Sequence, residues 1–120
     1  MARITLALAV FVALQHVGFL VLEMFLWTTP LGRKVFRTTP EQAASSAVLA
    51  KNQGLYNGFL AAGLLFGVIH NDTQAGQTFI TFFLCLVAVA GAYGAATVSR
   101  RIFLVQALPA LAGLATVFFA

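Results

Sequence analysis

The sequence predicts an all-α fold, an up-down-up-down bundle of four transmembrane helices making one domain over residues 1–120. Three observations predict it. Of 120 residues, 61% are hydrophobic and 8% charged, with a mean hydropathy of +0.95. An ordinary soluble domain carries roughly 25% charged residues, so this chain has too little polar surface to clothe a water-soluble globule. Its apolar residues gather into four runs, about 4–27, 51–69, 77–98 and 102–119, each close to the ~20 residues that cross hydrocarbon as a helix. All its basic residues but Arg3 gather about two of the connections: Arg33, Lys34, Arg37 and Lys51 about the first, Arg100 and Arg101 in the third.

The net charge of +4 and the pI near 10.0 do not indicate a nucleic-acid partner, because the positive residues form short clusters at the ends of apolar runs. Positive charge resists translocation, so the first and third connections belong in the cytoplasm and both termini outside. The expected setting is an inner (plasma) membrane crossed four times, with the lipid bilayer as the first partner. Arg3 precedes the first run as it would a signal peptide. That run is longer than the about 7 to 15 residues of a signal's apolar segment and has no small-x-small cleavage site, so it reads as a retained span.

The first run, residues 4–27, ends on Trp27, an amphipathic ring suited to the interface. Gln15, His16 and Glu23 interrupt it. His16 and Glu23 are seven residues apart, within about 20° on one face and roughly 10 Å along the axis. Residues 28–40 read as a loop punctuated by Pro30, Gly32 and Pro40. Thr39, Pro40 and Gln42 then form a helix start: N-cap, proline at the first helical position, and capping-box partner. The helix begun there is expected to run through residues 43–50 into the second span.

That span, KNQGLYNGFLAAGLLFGVI at residues 51–69, organises the rest. Gln53 and Asn57 lie within about 40° of each other with Tyr56 beside them, so one face is polar where lipid would forbid it. Gly54, Gly58 and Ala62 give the same helix a smooth seam for close approach of a neighbouring backbone. His70, Asn71, Asp72 and Thr73 make the turn to the third span, with Asp72 or Thr73 as a cap. The third span becomes nearly all small residues over 88–96; the fourth is interrupted by Gln106 and Pro109. Short connections favour antiparallel neighbours, and the spare Gly/Ala seams on the second and third spans leave room for a homodimer.

Glu23 is the sharpest feature, because an ionised carboxylate in hydrocarbon costs at least about 2.5–3.5 kcal/mol. Its depth matches that of Asn52, Gln53, Tyr56 and Asn57 within a turn or two. These residues, with His16 and Trp27, define the candidate ligand-binding site: a small cytoplasm-facing pocket for a small polar molecule or lipid headgroup, with Lys51, Arg33 and Arg37 at its mouth. Glu23 supplies charge or accepts a proton, Asn52, Gln53 and Asn57 orient the ligand, and Tyr56 closes the site. Two other readings stand beside it: a membrane enzyme or redox protein using His16 and Glu23, and a structural or assembly partner whose polar groups satisfy one another. No metal or cofactor is expected, since HExxH, P-loop and CxxC patterns do not occur, and Cys85, the single cysteine, permits no intrachain disulfide.

LEMFLWTTPLGRKVF at residues 22–36 and KNQGLYNGFLAAGL at 51–64, with His16 ahead of them and residues 106–109 behind, carry a resemblance. On these stretches the chain resembles domain-of-unknown-function family thirteen-hundred-and-four, small four-span bacterial integral membrane proteins. The resemblance implies that Glu23, Trp27, Asn52, Gln53, Tyr56 and Asn57 mark the family's site, and brings no activity with it.

Overall fold

A computed structural model describes residues 1–97 and 99–119, and among these every regular element is helical. In chain order they are α1 (Arg3–Met24), α2 (Pro30–Phe36), α3 (Pro40–Ser45), α4 (Ala47–Ile69), α5 (Thr73–Thr97), α6 (Arg100–Ile102), a π-helical turn (Phe103–Ala107) and α7 (Leu108–Phe119). The chain divides into two compact units: Gln15–Phe59, and Met1–Leu14 together with Leu60–Ala120.

In the unit Gln15–Phe59, the stretch expected to be a loop holds α2. The amide of Gly32 donates to the Thr29 side chain, which caps α2, with Pro30 entering its first turn. The Thr29 hydroxyl also donates to the carbonyl of Leu26, at 2.6 Å. A side chain at Gly32 would collide with the backbone carbonyls of Leu26 and Trp27, so the turn after α1 closes only on glycine. Arg37 ends α2 in the left-handed region (φ 56°, ψ 48°), its amide bonded to the carbonyl of Arg33. The first long helix therefore stops at Met24 and leaves Trp27 in the turn beyond it.

The capping box at Thr39 and Gln42 is present in both directions, 3.0 and 3.1 Å. The helix it starts does not run unbroken into the second long helix as expected. Ser46 leaves helical geometry (φ −107°, ψ 7°), and its hydroxyl donates to the carbonyl of Gln42 at 2.7 Å. A serine that bonds back into its own turn bends a helix; the backbone bonds from Ser46 to Gln42 and from Ala50 to Ser46 carry the chain across that bend.

The other unit has a core of Ala9, Val12, Ala13, Ala61, Leu64, Ile80, Leu84, Val87 and Ala110, drawn from α1, α4, α5 and α7. Small residues set its spacing. Backbones of α4 and α5 meet at Gly67 and Gly76, where a Cβ on Gly67 would stand 2.8 Å from the Gly76 carbonyl oxygen. Asp72 makes that turn by accepting the amides of Gln74 and Ala75 at 2.9 and 3.1 Å, so α5 begins at Thr73, a turn earlier than the expected third span; Val98, the expected end of that span, lies outside the described residues. The fourth expected span is broken into α6, the π turn and α7. Pro109 lacks an amide hydrogen and its ring crowds the preceding turn, and the wider π winding just ahead of it accommodates both faults.

Among the described residues two helices are long and apolar enough to cross a membrane, α1 and α5, and their apolar windows are only 28% and 22% buried. The helix over Leu104–Phe119 is apolar but shorter. α4 has the length, 23 residues, but Lys51, Asn52, Gln53 and Asn57 dilute it.

Candidate functional site

The unit Gln15–Phe59 brings one predicted pair of side chains into direct contact. The Asn57 side-chain amide donates to Glu23 Oε1, and so ties α4 to the last turn of α1. The seam beside it lets the helices approach: a Cβ on Gly54 would lie 2.5 Å from Met24 Cγ and 3.2 Å from Glu23 Cβ, and one on Gly58 2.8 Å from Leu20 Cδ1. Ala50, Gly54, Asn57 and Gly58 recur at helical spacing, so the face that packs is the face of small residues with Asn57 set into it. Glu23 is half-buried, and Asn57 is the partner the structure gives its carboxylate among the described residues.

The rest of the predicted polar face does not join them. Asn52 and Gln53 are exposed. Tyr56 is 62% exposed and packs its ring edge-on against Phe59 at 5.6 Å. The reason is angular: Gln53 lies about 100° from Gly54 and about 140° from Gly58, whereas Asn57 lies about 60° from Gly54. Of the expected network, Glu23 and Asn57 remain.

Trp27 is held elsewhere. Its indole Nε1–H donates to Ser46 Oγ at 3.1 Å, and its ring lies against Phe36 at 4.8 Å. Ser46 thus accepts from Trp27 while donating to Gln42, and the bend between α3 and α4 is also the anchor for the tryptophan. The sequence expectation puts Ser46 in the early helical turns at the headgroups and gives it no such bond; the available signal is its place four residues after the capping-box glutamine. His16 is fully buried, with its ring edge-on to Phe19 at 5.2 Å. Of the three basic residues placed at a pocket mouth, Lys51 and Arg37 are exposed and Arg33 is half-buried. The Nε of Arg33 and the hydroxyl of Thr38 are enclosed without a hydrogen-bond partner. No three His, Cys, Asp or Glu side chains come together to hold a metal ion among the described residues.

Residues 10–118 match the family model described as protein of unknown function (DUF1304). The chain belongs to this family. It is 30% identical to the uncharacterized protein YpaA of Lactococcus lactis subsp. lactis (strain IL1403) over 121 residues, covering 99% of this chain and all of that protein. No solved structure matches the chain. The family is the one that the resemblance named, and its description assigns no activity. The Glu23–Asn57 contact joins the two stretches, residues 22–36 and 51–64, on which the resemblance rests.

Proposed function

We infer that the chain is an integral membrane protein in which Glu23 and Asn57 form a closed polar site near the cytoplasmic leaflet, opening to hold a small polar molecule or a lipid headgroup. The membrane setting is supported by what the helices expose. Phe11, Leu14, Phe25, Ile69, Phe82 and Val89 all present large apolar side chains outward, while the buried positions are rich in alanine and glycine. A core helix of a soluble protein hides its apolar residues; helices in lipid pack through small ones and leave the large ones to acyl chains. The positive residues at 33, 34, 37, 51, 100 and 101 then orient the chain, with those two connections inside.

The observation that carries the site is the hydrogen bond between Glu23 and Asn57. A carboxylate offers about four acceptor directions and Asn57 fills one, so capacity remains for a donor such as an ammonium or hydroxyl headgroup. Arg37 and Lys51, exposed in the same unit, supply the opposite charge for a phosphate. The test uses protein in phosphatidylcholine nanodiscs with phosphatidylethanolamine added stepwise. Phosphatidylethanolamine raises the melting temperature of the native chain and not of Glu23→Gln; an equal rise in both rejects the site.

A second reading is favoured by the same bond: Glu23 and Asn57 satisfy each other and lock α1 to α4. The lock survives Glu23→Gln, since a glutamine oxygen also accepts from Asn57, whereas a site that needs charge does not. One variant therefore separates the two.

A further inference from the structure

We propose that α2 and the turn after it form a docking surface for an anionic phospholipid, with Arg33, Lys34 and Arg37 receiving the lipid's phosphate. The proposal rests on the membrane reading of the chain but not on the Glu23–Asn57 site.

The surface is built by the way α2 is held. Thr29 caps it and Arg37 ends it in the left-handed region. The carbonyls of Leu26 and Trp27 press on Gly32, and Phe36 packs its ring on Trp27 at 4.8 Å, so one face is fixed against the turn that follows α1. At 100° per residue Lys34 lies about 160° from Gly32, about 40° from Pro30 and about 60° from Leu31. Pro30, Leu31 and Lys34 are the exposed residues of α2, Leu31 to 54%. An outward face on which a proline and a leucine flank a lysine suits the headgroup plane of a bilayer: the apolar groups enter the acyl boundary and the ammonium stays among phosphates.

Charge names the lipid. From residue 28 to residue 40 the chain carries three cations and no acid. The amides of Arg37 and Thr38 both donate to the Arg33 carbonyl, the second at 3.0 Å, so residues 33, 37 and 38 are gathered in one turn rather than strung along a loop. In that turn Arg33 Nε and Thr38 Oγ1 are enclosed without a hydrogen-bond partner. Both can donate, and an enclosed donor without an acceptor costs free energy. Phosphate oxygens are what such donors lack, and a guanidinium meets them with two parallel bonds. A basic loop that only sets topology needs its charge and no such assembly. A zwitterionic headgroup balances its phosphate with its own ammonium, whereas phosphatidylglycerol leaves that charge to be met, which is worth about fivefold in affinity for each Lys or Arg near the surface.

Trp27, the single tryptophan, lies against α2 and reports which lipids gather there. The experiment places the full chain in phosphatidylcholine nanodiscs, adds phosphatidylglycerol or phosphatidylcholine with brominated acyl chains at equal mole fraction, and measures quenching of the tryptophan emission. Brominated phosphatidylglycerol is expected to quench with an apparent affinity at least about fivefold above that of brominated phosphatidylcholine. Lys34→Gln, which removes an exposed charge and touches no packing, lowers that preference severalfold, and Lys34→Arg retains it. Inorganic phosphate lowers it no more than sodium chloride at the same ionic strength does. Equal quenching by the two lipids, an unchanged preference in Lys34→Gln, or a selective loss on adding inorganic phosphate, which would give the cations to a free anion, overturns the proposal. Quenching by both lipids alike overturns the docking surface alone, whereas quenching by neither overturns the membrane reading with it.

Discussion

At the scale of single residues the account rests on two side-chain bonds in the unit Gln15–Phe59. If Glu23 and Asn57 hold each other, Glu23→Ala and Asn57→Ala are not additive. A double-mutant cycle on thermal stability in nanodiscs is expected to give a coupling of about 0.6 kcal/mol and no more than ~1.7 kcal/mol, the range for polar pairs between helices in lipid. Additive effects would mean that the bond is not formed. Trp27, the single tryptophan, reports on the other bond. Ser46→Ala removes both the acceptor for its indole and the back-bond to Gln42, and costs about 1–2 kcal/mol if both are lost. It also shifts the tryptophan emission to the red and raises its quenching by acrylamide, and an unchanged spectrum would contradict the anchoring. Glu23 was legible because an acid inside an apolar run demands a partner, and Asn57 because it lies at matching depth. Gln53 and Tyr56 misled because polarity alone does not say which side of a helix packs; the small residues Gly54 and Gly58 decide that, and Asn57 lies on their side.

At the scale of elements, the two threonine-proline caps make a matched pair. Thr28-Thr29-Pro30 and Thr38-Thr39-Pro40 repeat the same letters, yet only the second was read as a helix start, because Gln42 completes a capping box while Gly32 in the corresponding place suggested a loop. In the structure Thr29 and Thr39 both cap. Thr29→Ala and Thr39→Ala are each expected to cost about 1 kcal/mol, measured by thermal unfolding, with Thr29→Ala the larger because its hydroxyl also closes on Leu26. Gly54 belongs to this scale too: a Cβ there meets Met24 at 2.5 Å and the Leu20 carbonyl oxygen at 3.2 Å. Gly54→Leu therefore destabilises by at least about 1–3 kcal/mol, while Gly18→Leu, where nothing lies within 4 Å of an added Cβ, changes stability little. Comparable melting temperatures for the two variants would refute close approach of α4 to α1. The π turn before Pro109 escaped the sequence reading for a physical reason: a proline announces a fault in a helix but not how the backbone absorbs it.

At the scale of the molecule, helical class was legible in the length of the apolar runs, and the family in two stretches that the fold joins through one hydrogen bond. The number of spans was not legible to the same degree. Among the described residues α1 and α5 alone pass on length and apolarity together; α4 spends its first half on amides, and the last run is cut by Pro109. The proposal of four spans nevertheless makes a topological demand that two spans cannot meet, since the connection about Thr38 and that about Ser99 must share one side and the turn at Asn71 the other. The decisive measurement is thiol labelling of single cysteines in inverted and right-side-out vesicles, in a Cys85→Ser background. Thr38→Cys and Ser99→Cys are expected to react with an impermeant maleimide only in inverted vesicles, and Asn71→Cys only in right-side-out ones. Labelling of Thr38→Cys and Asn71→Cys from one side, or release of the chain from membranes by alkaline carbonate, would contradict the account.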